Sequence, residues 1–533
     1  MGELVGLKAR VQPGRPPAKY ARNVLKHVCA FLIVLSICEG IATFAISQSL
    51  KNFFQKLGWS NKGSTSMKLT YDSVSQFMCV AAGYVSDEHI GKFKTLASMA
   101  SFELTSKIIF NIGLFLGVAV SQVCLQVLVI SYGGDQFSPA APPSEKALYF
   151  RELYWGANVG AFIGYLVFPW VSIHGIGVIP PEYGYFYFAV YIAGFAVVLT
   201  FSIVLWSTRA RYVNVPPTKQ SVAVVIRVVF GHSRTNFRAN LVVLGTLLYV
   251  IAFLCNILAS VLSDRGNVGH DISYASGVMI VSATILWVYV GRDSAFMESA
   301  KQSLGGSFDA KVVDDVKQVI RTLPLNAFNQ TDTSVGSSLD ASQVPGPMIQ
   351  LFNPLAALFF IPFLEKVVYP LYAKYSGKPP SPYGKILTGY CVAVVAMFWT
   401  GANEVIRRSA GPLSYTDADG VEQFLLDDDG GQVMNDIPWW TTIPHYLLVS
   451  LPGVLICIPS YDLNYSEVPQ SMRSTSIALA FFVNSMGSSL LSIIYLFFTL
   501  GALMIVNIFF YVVVMNRMKF GTNSSIMLHF LVY

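Results

Sequence analysis

The chain has 533 residues, 53% of them hydrophobic and only 12% charged, with a mean hydropathy of +0.53. A soluble domain carries about 25% charged residues, so this composition excludes an ordinary soluble protein and indicates an integral membrane protein. The net charge of +6 is unevenly spread, which orients the chain.

Residues 1–25 are basic and proline-rich with no apolar core, and are read as a cytoplasmic N-terminal segment, not a cleaved signal peptide. Apolar stretches then recur near 26–48, 110–131, 153–173, 184–206, 239–262, 272–291, 349–365, 384–401, 444–460, 473–493 and 495–516, with a weaker one near 70–86. Each approaches the ~20 residues that cross ~30 Å of hydrocarbon as a helix. The runs are continuous, not alternating, so the spans are helices and not barrel strands.

The expected organisation is an N-terminal helical bundle over 26–206, a basic cytoplasmic linker over 207–238 and an additional transmembrane helix pair over 239–291. A polar linker over 292–346, a C-terminal helical bundle over 347–516 and a tail over 517–533 complete it. Lys and Arg gather in alternate loops, whereas the stretch after Arg408 carries Asp417, Asp419, Glu422, Asp427, Asp428, Asp429 and Asp436. By the positive-inside rule both termini are cytoplasmic and the acidic loop lies on the far side. The basic residues orient the protein, and no nucleic-acid partner is expected.

The seven cysteines show no C-x-x-C spacing, so neither a disulfide framework nor a zinc site is indicated. No phosphate-binding loop, H-E-x-x-H or nucleophile elbow occurs. No cofactor, metal or catalytic residue is therefore expected; the two-bundle layout is transporter-like, with a channel or a membrane-bound enzyme left open by the residues alone.

Three polar features stand out. In the first span Ser36, Glu39, Gly40, Thr43 and Ser47 recur at three- and four-residue spacing, so one narrow helix face is polar. An ionisable group inside a span faces a bundle interior or a watery cavity and marks function by default; the plainer alternative is an acid hydrogen-bonded to a neighbouring helix. In LYWGANVGAFIG, Gly156, Gly160 and Gly164 form a small-residue stripe for close helix packing, with Asn158 on the other side. AGYVSDEHIGKFKT sets Gly83, Asp87, Gly91 and Lys92 in a short basic loop. Its spacing resembles the G-x-x-x-D-x-x-x-G-[RK] loop of the major facilitator superfamily, whose carboxylate holds neighbouring helix ends.

SYGGDQFSP followed by YFRELYWGANVGAFIG, then QLFNPLAALFFIPFLEKVVYPL, WWTTIPHYLL and YDLNYSEVPQSMRS, occur in that order. Together they resemble the proton-dependent oligopeptide transporter (PTR2) family of the major facilitator superfamily. The resemblance implies an all-α polytopic fold of two helical bundles, with the pair at 239–291 similar to two additional helices that many members carry. It also implies proton-coupled symport of di- or tripeptides, or of related small nitrogenous solutes, by alternating access. The partners are then a small-molecule substrate, protons and the lipid bilayer.

Residue by residue, CEGIATFAI resembles the first-helix motif E-x-x-E-R, with Glu39 on the second glutamate, Ser36 on the first and Gly40 on the arginine. Gln126 falls on the fourth-helix lysine, Gly453 on the tenth-helix glutamate and Asn329 on the seventh-helix carboxylate. The resemblance makes Glu39 the proton-coupling group and Asn158, Asn353 and Gln126 the substrate contacts, with Asp87, Gly83, Gly91 and Lys92 as a conformational loop. The third and seventh spans are expected to be truncated, because Lys94 and Asp135 stand close in sequence and RTLPLNAFNQTDTSV lacks an apolar middle. A half-span there would put Glu103 and Lys107 in lipid. The alternative is an uncoupled or non-transporting relative, a sensor, scaffold or truncated variant. The membrane of residence, plasma or endolysosomal, is left open.

Overall fold

The computed structural model describes residues 24–56, 58–106, 119–138, 141–174, 185–213, 222–262, 267–291, 294–328, 349–411, 414–416, 422–424, 437–469, 472–491 and 497–518. The first helix, α1 (Ala30–Lys56), is about 40 Å long at 1.5 Å per residue, and follows a π turn, Leu25–Cys29. It is followed by α2 (Asn61–Val85), α3 (Lys92–Ser106), α4 (Ala119–Gly134), α5 (Pro143–His174) and α6 (Tyr185–Ser207). A short helix, α7 (Val222–Ser233), precedes the long pair α8 (Phe237–Val261) and α9 (Asn267–Gly291). Then come α10 (Ala310–Phe328), α11 (Phe352–Phe363), α12 (Tyr369–Ser376), α13 (Pro382–Ser409), α14 (Ile443–Ser466), α15 (Arg473–Leu491) and α16 (Phe497–Met518).

Among the described residues, six stretches are long and apolar enough to cross a membrane: Leu25–Phe44, Phe237–Ala259, Asp271–Gly291, Phe352–Ser376, Pro382–Arg407 and Trp440–Ser466. The span at Phe352–Ser376 is continuous but widened. Pro362 and Pro370 each withhold a backbone N–H, and between them Leu364–Val368 forms a π turn. In the acidic stretch, Ser414–Thr416 pairs antiparallel with Glu422–Phe424.

Two groups of helices emerge from the packing. In the first, α1 lies against α5 and α6, α2 against α4, and α3 between α4 and α6. In the second, α14 lies between α11 and α13, and α13 packs on α16. Thr400 of α13 meets His445 of α14 at 2.5 Å. The two groups meet along α2 with α15 and along α5 with α11 and α14. The pair α8 and α9 packs outside the first of these seams.

Between Lys94 and Asp135 the described residues form two helices, and residues 107–118 lie outside them. The first, α3, reaches Ser106 and the second starts at Ala119; Lys107 lies outside the described residues. The seventh-helix remnant begins earlier than RTLPLNAFNQTDTSV: α10 starts at Ala310 and buries Val313, Val316, Val319 and Ile320 on one face. Its charged side masks that stripe in a hydropathy reading. Asn329, placed on the seventh-helix carboxylate, lies outside the described residues.

Candidate functional site

Glu39 sits midway along α1 with 8% of its surface exposed, and Thr43, one turn on, donates its hydroxyl to Oε1 at 2.9 Å. Ser36 is buried on the same face. Gly40 has a different role from the polar one its spacing suggested. A Cβ there would stand 2.8 Å from the carbonyl oxygen of Ala157 and 3.3 Å from Cα of Gly160. On the opposing helix, Cβ atoms on Gly156 and Gly160 would stand 2.8 Å from Cγ2 of Ile33 and 2.3 Å from the oxygen of Ile37. The glycine stripe of α5 is thus the surface on which α1 packs, backbone to backbone. An arginine at position 40 has no room.

Beyond that contact α5 turns another face to the second group. Tyr154 brings its hydroxyl to 3.2 Å from the place a Cβ on Gly453 would occupy, and its ring lies 6.4 Å from that of Tyr461. Asn158 donates its amide to the Tyr154 carbonyl at 2.8 Å, within its own helix. Arg151 bonds Glu365 at 3.1 Å, tying α5 to the π turn between α11 and α12. Gln126 on α4 and Asn353 on α11 are half-buried. The Tyr154 hydroxyl of the facing bundle thus lies against Gly453.

The densest polar cluster lies at one end of the seam between α2 and α15. Asp135, directly after α4 and with 1% of its side chain exposed, takes Lys92 Nζ on Oδ2 at 2.5 Å. Its Oδ1 accepts from Arg473 at 3.1 Å and from the Tyr465 hydroxyl at 2.9 Å. Arg473 also lies over the Tyr465 ring, 4.0 Å from its centroid. One carboxylate of the first group is thus held by a cation and a phenol of the second.

Asp87 makes the companion link. It lies in the π turn Ser86–Ile90, beyond the end of α2, and is 4% exposed. Its Oδ2 accepts from the backbone N–H and the hydroxyl of Thr475, both at 3.2 Å. That N–H is in the first turn of α15, where helix donors lack intrahelical partners and the helix dipole favours an anion. Burial pushes the Asp87 carboxyl up to about 6, against the lowering pull of Lys92 and of hydroxyl hydrogen bonds. Gly91 has φ +81°, a left-handed conformation that lets the chain reverse directly into α3. Gly83 lets α2 approach: a Cβ there would be 3.0 Å from Ala478 Cβ and 3.3 Å from the Ser474 oxygen. With two carboxylates and two cations, the cluster has no net charge, which is what lets it be buried.

The residues after Asp135 complete this end. Gln136, fully buried, donates to the carbonyls of Tyr132 and Val213 and accepts from the Val213 N–H at 2.7 Å. Phe137 packs on Tyr149, whose hydroxyl bonds the Val129 carbonyl. The sequence reading assigned Asp87, Gly83, Gly91 and Lys92 to a conformational loop, and the structure gathers all four here. It missed Asp135, Tyr465 and Arg473. Each lies inside a stretch quoted for its pattern, but a pattern does not show who pairs with whom.

Compared with known proteins, residues 90–509 match the pattern of the PTR2, or POT, family. The chain belongs to the POT family. It is 23% identical to Protein NRT1/PTR FAMILY 8.5 of Arabidopsis thaliana, over 90% of this chain and 83% of that protein. The peptide transporter PTR2 of Saccharomyces cerevisiae is 26% identical over 40% of this chain and 36% of its own length. Among solved structures, an auto-inhibited POT family peptide transporter superposes with a TM-score of 0.63 at 18% identity, covering 93% of this chain and 98% of its own. This POT family chain is thus a multi-pass α-helical membrane protein of two bundles with an added helix pair.

Proposed function

We propose that this protein is a secondary active transporter that carries di- or tripeptides, or related small nitrogenous solutes, together with protons by alternating access. The observation that carries the reading is the largely buried, charge-balanced cluster of Lys92, Asp135, Arg473 and Asp87, which joins the two bundles at one end through hydrogen bonds that a rocking motion can break. Membership of the POT family supports it, as does similarity to the yeast relative, a peptide transporter.

In this reading Glu39 carries the coupled proton, and Thr43 holds its carboxyl in place. Asn158, Asn353 and Gln126 offer amides to the substrate. Asp87, Gly83, Gly91 and Lys92 set the bundle equilibrium at the Asp135 end, which faces the cytoplasm with both termini. The chain adopts the form closed at that end.

Because Gly40 and Gly453 occupy places with no room for a long charged side chain unless neighbours move, the substrate meets a largely neutral site built on amides and phenols. The direct test is uptake of a labelled dipeptide into proteoliposomes under an inward proton gradient. Accumulation above the uncoupled control is expected. A folded protein that takes up no peptide at any pH would leave the non-transporting reading.

A further inference from the structure

We propose that the helix pair α8 and α9 is a strap across the seam between the bundles, and that Phe77 is its release point on α2. Phe77 stacks on Phe253 of α8 with ring centroids 4.2 Å apart and planes 5° from parallel. On its other side it meets Phe482 of α15 at 5.5 Å. Tyr249 of α8 and Trp287 of α9 close on the same Phe482 at 5.9 and 6.3 Å. One aromatic cluster therefore joins a helix of the first bundle, a helix of the second and both helices of the pair.

The pair is built to move as a unit. Tyr249 and Thr284 share a hydrogen bond at 2.6 Å, and Ser276 donates to the Ala252 carbonyl at 2.8 Å. Gly245 admits the Trp287 ring, since a Cβ there would stand 2.6 Å from its Cδ1. The apolar cluster containing the pair takes Val313, Val316, Val319 and Ile320 from α10, and Val468, Met472, Phe482 and Val483 from around α15. From the first bundle it takes Val74, Phe77 and Val80 of α2, all partly buried. These fall three residues apart and make a single face.

The pair consequently travels with α10 and α15, and separation of the bundles at the Asp135 end breaks the α2 face, Phe77 first. In lipid no hydrophobic drive holds helices together, so ring stacking and van der Waals packing set the strength of such a contact. A stacked ring pair is worth about two- to tenfold in an equilibrium constant. That bias favours the closed form and is independent of pH, because the Phe77–Phe253 stack contains no ionisable group.

The experiment places spin labels at Lys94→Cys and Lys378→Cys, both exposed and on different bundles, in a cysteine-free background of the full chain. Distances are read without substrate. Phe77→Ala and Phe253→Ala are each expected to raise the long-distance population roughly two- to tenfold, at pH 5 and pH 8 alike, with no further rise in the double variant. Phe77→Leu, which keeps more of the packing, should give a smaller shift in the same direction. An unchanged distance distribution in folded Phe77→Leu and Phe253→Ala overturns the proposal, as does a shift confined to one pH. The proposal rests on alternating access, but the distances need no transport. Absent uptake with an intact shift would count against the transport reading alone.

Discussion

Asp135 and Arg473 are 338 positions apart in sequence and 3.1 Å apart in the fold. Their contact, with Lys92 on the other carboxylate oxygen and Tyr465 beside it, fixes which ends of the two bundles are together. Removing the acid leaves the buried Lys92 and the part-buried Arg473 without their shared carboxylate.

Asp135→Ala should therefore cost more than removal of an exposed charge. Breaking one partner of a buried ionic set costs about 3 to 5 kcal/mol, part of which appears as opening at this end instead of unfolding. Thermal unfolding in detergent together with the Lys94 to Lys378 spin-label distance would measure both. A melting temperature and a distance equal to those of the unsubstituted protein would show that the cluster holds nothing.

Gly40 and Gly453 should differ in tolerance. Gly40→Ala places a Cβ 2.8 Å from a backbone oxygen and forces α1 and α5 apart, at roughly 1 to 3 kcal/mol for overpacking. Gly453→Ala meets only the end of the Tyr154 side chain at 3.2 Å, which can shift, so little loss is expected. Unfolding midpoints of the two variants compare them directly, and equal losses would mean that the α1–α5 contact is looser than described.

Asp87 gives the stability of the fold a pH dependence. Its carboxyl is raised from 3.8 to about 6, so the folded protein holds this proton more tightly than the unfolded chain does. The contribution is fully present below about pH 4, is lost as pH rises to about 6 and is constant above. Relative to Asp87→Asn, the wild type should lose on the order of 2 to 3 kcal/mol across that window. Unfolding of both proteins from pH 4 to pH 7.5 tests this, and a constant difference between them would assign the Asp87 link no titrating part.

Features that depend on local chemistry were legible before the fold was known. A lone carboxylate in an apolar run marks Glu39, and a spaced loop marks Gly83, Asp87, Gly91 and Lys92. Features that depend on which helices meet were not. Gly40 looked like a gap in a polar face, because nothing in its own span shows that Ala157 and Gly160 press against it.

The helix Ala310–Phe328 was only partly visible. Lys311, Asp314, Asp315, Lys317 and Arg321 dilute its hydropathy, while its buried stripe recurs at helical spacing. Glu298 and Lys301 sit against its start: Lys301 bonds Glu298 at 2.6 Å and Asp314 at 2.8 Å, and Lys317 also bonds Glu298. Period, not mean hydropathy, is the signal for a span whose first turns are clasped by polar neighbours. The pairings of Asp135 and of Phe77 lie beyond any reading of one segment, since each joins elements hundreds of residues apart.

In the proposed function a single glutamate on α1, Glu39, couples protons to solute movement. Proteoliposomes carrying the wild type or Glu39→Gln, loaded for either pH-driven accumulation or counterflow exchange of the same dipeptide, separate coupling from transport. Glu39→Gln is expected to lose accumulation and keep exchange. Equal pH-driven accumulation by the two proteins would contradict it.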